Sequence, residues 1–308
     1  MSVRVGIGWS PFDGDGLADG RFWGAVETIE ELGYDSLWLS DSASLAGGAP
    51  LPTLAAVAAR TTRLKLGTGV LVLPPRNPVL LAREMATVDV LSGGRLLPAG
   101  GLGIAAPEEL AALGVAREER VARLEETVAI VKALWSGRPV TYEGRFCTLT
   151  DVTLQPRPTR ERLEFWLGGR VRAALLRVGR IADGWLGSFV GPDEFGAMVA
   201  TIEEGAAAAG RRIDDDHYGT TVFAAPSAGE MPAAAERLLG LRPDLAPGDH
   251  IAFGAPALRD LLARFVAAGG SKFVVIPIAR DLDGWLRELW REAVVPIERQ
   301  AAAKGGGK

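Results

Sequence analysis

The residues able to do chemistry are few and scattered. The 308-residue chain holds two histidines and one cysteine. His217, in DDDHY, and His250, in GDHIAFG, form no HxxxH or HxH pair, so a histidine-built metal centre is not expected. His217 reads as part of a solvated turn before a strand, and His250 stays ambiguous. Cys147, in RFCTLTDV, has no histidine nearby and reads as an inert strand thiol. There is no GxSxG elbow for nucleophilic hydrolysis and no GxxxxGK(S/T) loop for a nucleotide phosphate.

What remains sits at the ends of apolar runs. Asp41 and Ser42 follow LWLS, where Asp and Ser serve either a ligand or a turn or helix cap. Gly101-Leu102-Gly103-Ile104-Ala105-Ala106 fits G-x-G-x-x-A, but no acid ends a next strand at the distance a dinucleotide ribose requires. It reads as a ligand-facing turn, with a plain tight turn as the alternative. WLGGR, residues 166–170, ends in Gly168, Gly169 and Arg170 where a helix begins, and free N–H groups beside a guanidinium suit a phosphate. Trp9 ends the first strand and is a candidate to stack on a planar ligand, whereas Trp38 reads as core. Asp89 and Arg95 read as an ion pair bracing LSGG. Arg83 and Glu84 read as a solvated or subunit-contact helix face. Lys65 and Lys272 begin their strands, away from the end where an isomerase or lyase would need them.

The elements that must position these residues alternate along the chain. In LGTGVLVLPPRNPVLLAREMATVDVLSGGRLLPAGGLG, residues 66–103, an apolar run ends in glycine, a helix follows, and a second run ends in glycine. In parallel α/β folds ligands lie at the carboxyl ends of strands, and glycine there admits a ligand to the backbone. Phe22, Val26, Ile29 and Leu32 have helical spacing and Gly33 stops that helix. Pro78 opens a helix to Leu91, and a long helix is expected over 117–135. VTYEGRFCTLTDVTL reads as a hairpin, an insertion over about 137–160. The closing helix, 283–300, is expected to break at Pro296. About eight strands, each followed by a helix, favour an α/β fold. The expected form is one (β/α)8 TIM-type barrel over 1–300, with 301–308 a flexible tail. A doubly wound open sheet is the runner-up.

Composition bounds the partners. The chain is 48% hydrophobic and 23% charged, with a formal net charge of −4. Nothing in that balance recruits nucleic acid or an anionic membrane. No signal peptide and no membrane-spanning run is read, and a single cysteine suits a reducing compartment, so a cytoplasmic protein is expected.

Taken in order, ELGYDSLWLSD, the 66–103 stretch, REERVARLEETVAIVKALWSG, FWLGG, IADGW and FGAPALRDLLARFVAAGGSKFVV cover nearly the whole chain. The set resembles the luciferase-like flavin-dependent oxidoreductases, including their coenzyme F420-dependent branch. The resemblance implies a barrel that binds a flavin or deazaflavin at its mouth, and a homodimer. It places Asp41 near the ring and Gly69-Val70 against it, often through a non-prolyl cis peptide in this family. Gly101, Leu102 and Gly103 would form the neighbouring wall, and Gly168, Gly169 and Arg170 would meet the phosphate tail. Two departures stand out. Ser42 replaces a histidine common in F420-dependent members, and Ile104 lies near the position of a glutamate in their sugar-phosphate dehydrogenases. A hydride transfer from an alcohol needs a base, and Asp41 and Ser42 are the remaining catalytic candidates. The expected activity is an oxidoreductase or monooxygenase acting on a small organic molecule, with F420 favoured over FMN. The alternative is a barrel that binds the cofactor without turnover.

Overall fold

The computed structural model describes residues 2–9, 17, 20–41, 48–103 and 107–305. Ser42 and Ile104, and with them the two family departures, lie outside the described residues.

Eight parallel strand positions close into a barrel. They are β1 (Arg4–Trp9), β2 (Ser36–Leu39), β3 (Lys65–Thr68) continued by β4 (Leu71–Val72), and β5 (Leu96–Leu97) continued by β6 (Ala99–Gly101). After a hairpin of β7 (Val140–Glu143) and β8 (Thr148–Val152) come β9 (Trp166–Gly168), β10 (Gly184–Ser188), β11 (Tyr218–Ala225) and, beyond the short β12 (Ile251–Phe253), β13 (Lys272–Pro277). Hydrogen bonding runs β4-β6-β9-β10-β11-β13-β1-β2-β3-β5. Because β3 and β4 are halves of one strand, and β5 and β6 halves of the next, the two ends of that path are the same pair. Leu66 pairs Leu96 and Leu71 pairs Gly100. Closure excludes the doubly wound open sheet. β12 adds beside β11 (Phe223 opposite Ile251), and β7 pairs β8 antiparallel, the expected insertion.

Sequence periodicity explains the helices. In α1 (Arg21–Leu32) Phe22, Ala25, Val26 and Ile29 are buried, and Gly33, at φ 91°, donates its N–H to the Ile29 carbonyl. α2 (Pro50–Ala58) and α3 (Pro78–Leu91) follow β2 and β4. Asn77 caps α3, accepting from the N–H groups of Val79 and Leu80, and Pro78 takes the first turn. A short helix the sequence reading missed, α4 (Pro107–Ala112), precedes α5 (Arg120–Trp135). The rest are α6 (Arg172–Ile181), α7 (Pro192–Ala208), α8 (Ala233–Leu239), α9 (Ala255–Ala267), α10 (Leu282–Leu289) and α11 (Val295–Gly305).

Tryptophans fill the barrel's interior. Trp38, Ala99, Trp166, Leu186 and Val274 form one buried cluster, although β2 and β13 pair neither with each other nor with the β6-β9-β10 run that carries the other three. Only the lumen brings such residues together. Glycines make the room. A Cβ on Gly67 would lie 2.2 Å from the Trp38 ring, and one on Gly184 would lie 2.3 Å from that of Trp166. Trp38 is therefore core, as its position suggested.

Several expectations change. Asp89 and Arg95 do not pair, because they face opposite sides of the LSGG turn. Asp89 accepts from Thr159 N–H, while Arg95 donates to the carbonyls of Ala58, Thr61, Leu64 and Ser92. His217 is not a solvated turn residue. Its Nδ1 lies 2.9 Å from the Asp183 carbonyl and its ring packs on Trp166. The closing helix is interrupted just ahead of Pro296 rather than at it. A π-type turn at Trp290–Val294 precedes it, with Val295 N–H bonded to the Trp290 carbonyl, and α11 runs to Gly305, past the expected start of the tail.

Candidate functional site

The described mouth residues singled out from the sequence lie at carboxyl ends of strands, except Gly69 and Val70, which lie at the break within the third strand. Trp9 ends β1, Asp41 follows β2, Gly69 and Val70 join β3 to β4, Gly101 to Gly103 end β6, and Gly168 to Arg170 end β9. Parallel pairing puts these ends on one side of the barrel. Lys65, Lys272, Asp35 and His217 lie at the opposite, strand-start side.

The junction of β3 and β4 is held from both flanks. The Gly69–Val70 peptide is cis. Gly69 N–H donates to Leu39 O at 2.8 Å, and Ser40 Oγ donates to Gly69 O at 3.2 Å. Asp41 Oδ2 accepts from Val72 N–H at 2.9 Å and from Arg76 Nη2 at 2.7 Å, while Arg76 Nε donates to Val72 O at 3.1 Å. Asp41 thus closes a clasp around β4 and caps no helix among the described residues. Arg76 was not singled out from sequence. Its only sequence signal is its place four residues beyond Val72.

The glycines here have a second use that sequence did not disclose. The space a Cβ would take on Gly101 is 2.7 Å from a Val70 methyl carbon, and on Gly168 it is 3.4 Å from another. At Gly103, with φ 72°, it is 2.8 Å from Val72. So these glycines seat the side chains of the β3–β4 junction. They are not simply open to a ligand. Arg120 fixes the same wall from outside, its Nη2 donating to Leu102 O and Gly103 O at 2.8 and 2.6 Å.

The β9 end carries two arginines, Arg170 and Arg242, with Glu194 and Asp244 close by. Gly169 has φ 136°, and its carbonyl accepts from Trp185 Nε1 at 2.8 Å. Arg170 follows, one residue ahead of the Val171 cap of α6. Its Nη1 is buried and has no hydrogen-bond partner among the described residues. A buried guanidinium nitrogen without a partner is costly, and an anion is the group that satisfies it. Beyond it, Arg242 Nη1 donates to the carbonyl of Phe189 at 2.6 Å, and Arg242 also pairs with Glu194 and Asp244. Phe189 has φ 56°, uncommon for a bulky residue. No sequence signal pointed to Arg242. It belongs to the segment between α8 and β12, far along the chain from what it holds.

Trp9 is half-buried and meets Phe22 edge-on, ring centres 5.2 Å apart. His250 is buried, and burial pushes its pKa below the usual histidine value. Cys147 is half-buried, and burial raises its thiol, which makes it a poor nucleophile. Among the described residues no three His, Cys, Asp or Glu side chains converge as a metal would require, and no helix is long and apolar enough to cross a membrane.

Comparison with known proteins gives a consistent picture. Residues 20–294 match the family described as luciferase-like monooxygenase. An F420-dependent glucose-6-phosphate dehydrogenase of Microbacterium testaceum is 35% identical over 196 residues, covering 60% of this chain and 58% of that enzyme. The chain therefore matches under two thirds of that relative's length. Among solved structures, monooxygenase RslO1 from Streptomyces bottropensis superposes with a TM-score of 0.82 at 21% identity, covering 95% of this chain and 99% of that one. An F420-dependent secondary alcohol dehydrogenase in complex with an F420-acetone adduct superposes with a TM-score of 0.79 at 18% identity, over 96% and 99%. At these identities the structures speak to the fold alone.

Proposed function

The chain belongs to the luciferase-like monooxygenase family, and on that premise we propose that it is an oxidoreductase that binds a deazaflavin or flavin at the barrel mouth and acts there on a small organic molecule. F420 is favoured over FMN, because the 35%-identical relative is an F420-dependent dehydrogenase. The observation that carries the reading is Arg170. Its buried, unpartnered Nη1 at the start of α6 fits the phosphate that both cofactors carry.

When bound, the ring supplies hydride exchange or oxygen activation. The chain supplies position. Arg170 and the Gly168-Gly169 backbone would hold the phosphate. Val70, seated on Gly101 and Gly168, would press on the ring, with Leu102, Gly103 and Trp9 beside it. Asp41 acts through β4 with one oxygen, Oδ2, which Val72 and Arg76 both engage. That commitment also favours the second reading, a barrel that binds the ring without turnover. Steady-state turnover with an alcohol and aldehyde panel separates the two.

The test of the main reading is titration with FMN and with F420, followed by absorbance and fluorescence. At least one binds well below 1 mM (about −4 kcal/mol), and Arg170→Gln weakens binding roughly tenfold or more, as loss of a charge-assisted bond to an anion should. Failure of both cofactors to bind would sink the proposal.

The assembly we propose is a homodimer through α2 and α3. Leu80, Val90 and Leu91 on the outer side of α3 are 48, 43 and 62% exposed. Beside them α2 and α3 flank a groove of about 520 Å³ lined by Pro50, Leu51, Pro52, Arg83 and Glu84. Sedimentation should give a dimer, and Leu91→Glu a monomer. The proposed location is the cytoplasm, in keeping with the lone free thiol.

A further inference from the structure

A second cleft lies far from the mouth, against the strand-start side of the barrel. It has a volume of about 470 Å³, within the range of small-molecule sites, and lies between α5, the segment before β9 and the end of α6. Its wall is in part apolar, from Val128, Ala129, Trp135, Leu163 and Ile181. The rest is an unbalanced set of charges. Asp183, 4% exposed, takes three cations, with Lys132 Nζ at 2.6 Å, Arg162 Nη2 at 2.6 Å and Arg211 Nη2 at 3.2 Å. Glu125 takes two, Arg177 Nε at 2.8 Å and Arg180 Nη2 at 2.5 Å. Two carboxylates thus answer five cations. Glu161 in the lining, and Glu164 and Asp214 beside Arg162, offset part of the excess.

The imbalance has a direction. Lys132 is pushed below the usual lysine value first by burial, Asp183 works against that, and Arg211 and Arg162 add to it. Arg162 and Arg180 are the exposed members, at 73 and 53%. Each spends only Nη2 on a protein partner, which leaves the Nε and Nη1 donors of both without one among the described residues. Asp183 and Glu125 hold the two guanidinium groups at the edges of one apolar-walled cleft.

We propose that this cleft binds a small organic anion, its acidic head on Arg162 and Arg180 and its apolar body against Val128, Leu163 and Ile181. The site is separate from the barrel mouth, so its ligand and a mouth-bound cofactor occupy the protein together.

The probe is 8-anilinonaphthalene-1-sulfonate, an aromatic anion whose fluorescence reports binding. The titration is run on the full chain with and without saturating FMN. The expected result is one saturable site tighter than about 1 mM, unchanged by FMN. Arg162→Gln/Arg180→Gln weakens it about tenfold, and Glu161→Gln, which removes an opposing charge, tightens it about twofold. Circular dichroism and FMN binding of both variants stay as in the parent. Affinity unaltered by the double substitution, competition by FMN, or no saturable binding below about 1 mM would each overturn the proposal.

Discussion

Thr68 shows how much one side chain decides at the break between β3 and β4. Its Oγ1 donates to the Ala99 carbonyl and accepts from Ala99 N–H, both at 2.8 Å, so a hydroxyl bridges two interrupted strands. Thr68→Val keeps the shape and leaves two buried backbone groups unpaired. The expected loss is about 1–3 kcal/mol in urea unfolding. Gly67 illustrates the glycines. Read from sequence, it belongs to a floor open to a ligand. In the fold, its missing Cβ is the space of the Trp38 ring. Gly67→Ala should therefore cost about 1–3 kcal/mol even without ligand, and a stability equal to the parent's would contradict the close packing.

Two arginines organise elements. Arg95 gathers the end of α2 and the start of β3, donating to Ala58 O, Thr61 O, Thr61 Oγ1 and Leu64 O. Lysine has the charge without the planar fork, so Arg95→Lys leaves carbonyls unpaired and lowers the melting temperature, by about 1–3 kcal/mol of stability. The second is Arg76, clasped with Asp41 on β4. In a double-mutant cycle, Asp41→Ala and Arg76→Ala should couple by about 0.5–3 kcal/mol, both in stability and in flavin affinity, because both act through one segment. Additive effects would mean that Asp41 does its work elsewhere. The elements themselves were legible in the sequence. α1 and β2 fall where hydrophobic spacing and Gly33 put them. α4 was missed, being six residues long with none of its described side chains buried.

At the scale of the whole barrel, the strand-start side carries a buried ion cluster. Asp35, 8% exposed in its side chain, pairs with Lys272 and, at 2.8 Å, with Lys65. Burial raises the Asp35 carboxyl, but the two lysines outweigh burial and hold it at about 2, against 3.8 when unperturbed. A depressed acid stabilises the fold above its unfolded pKa, and that contribution fades as pH falls through the folded value. The pair should thus give about 2 kcal/mol above pH ~4, lost on the way to pH ~2. Asp35→Asn leaves Lys272 buried without its charge partner, at a cost of about 3–5 kcal/mol near neutrality. Urea unfolding of the two proteins should converge as the pH approaches ~2, and a gap that does not narrow would refute the assignment.

By itself the sequence determined which segments become strands and helices, their alternation, the family, and which strand ends meet at the mouth. Those follow from spacing, glycine placement and chain order, which are local or nearly so. Tertiary structure alone decided what the glycines hold, how Asp41 is spent, why Asp89 and Arg95 part, and where Arg170 lacks a partner. Each depends on which distant side chain comes to fill or satisfy a given point. Asp41 meets Arg76 across 35 residues and Phe189 meets Arg242 across 53, and the pairing of β2 with β3 and of β10 with β11 is what brings those segments side by side.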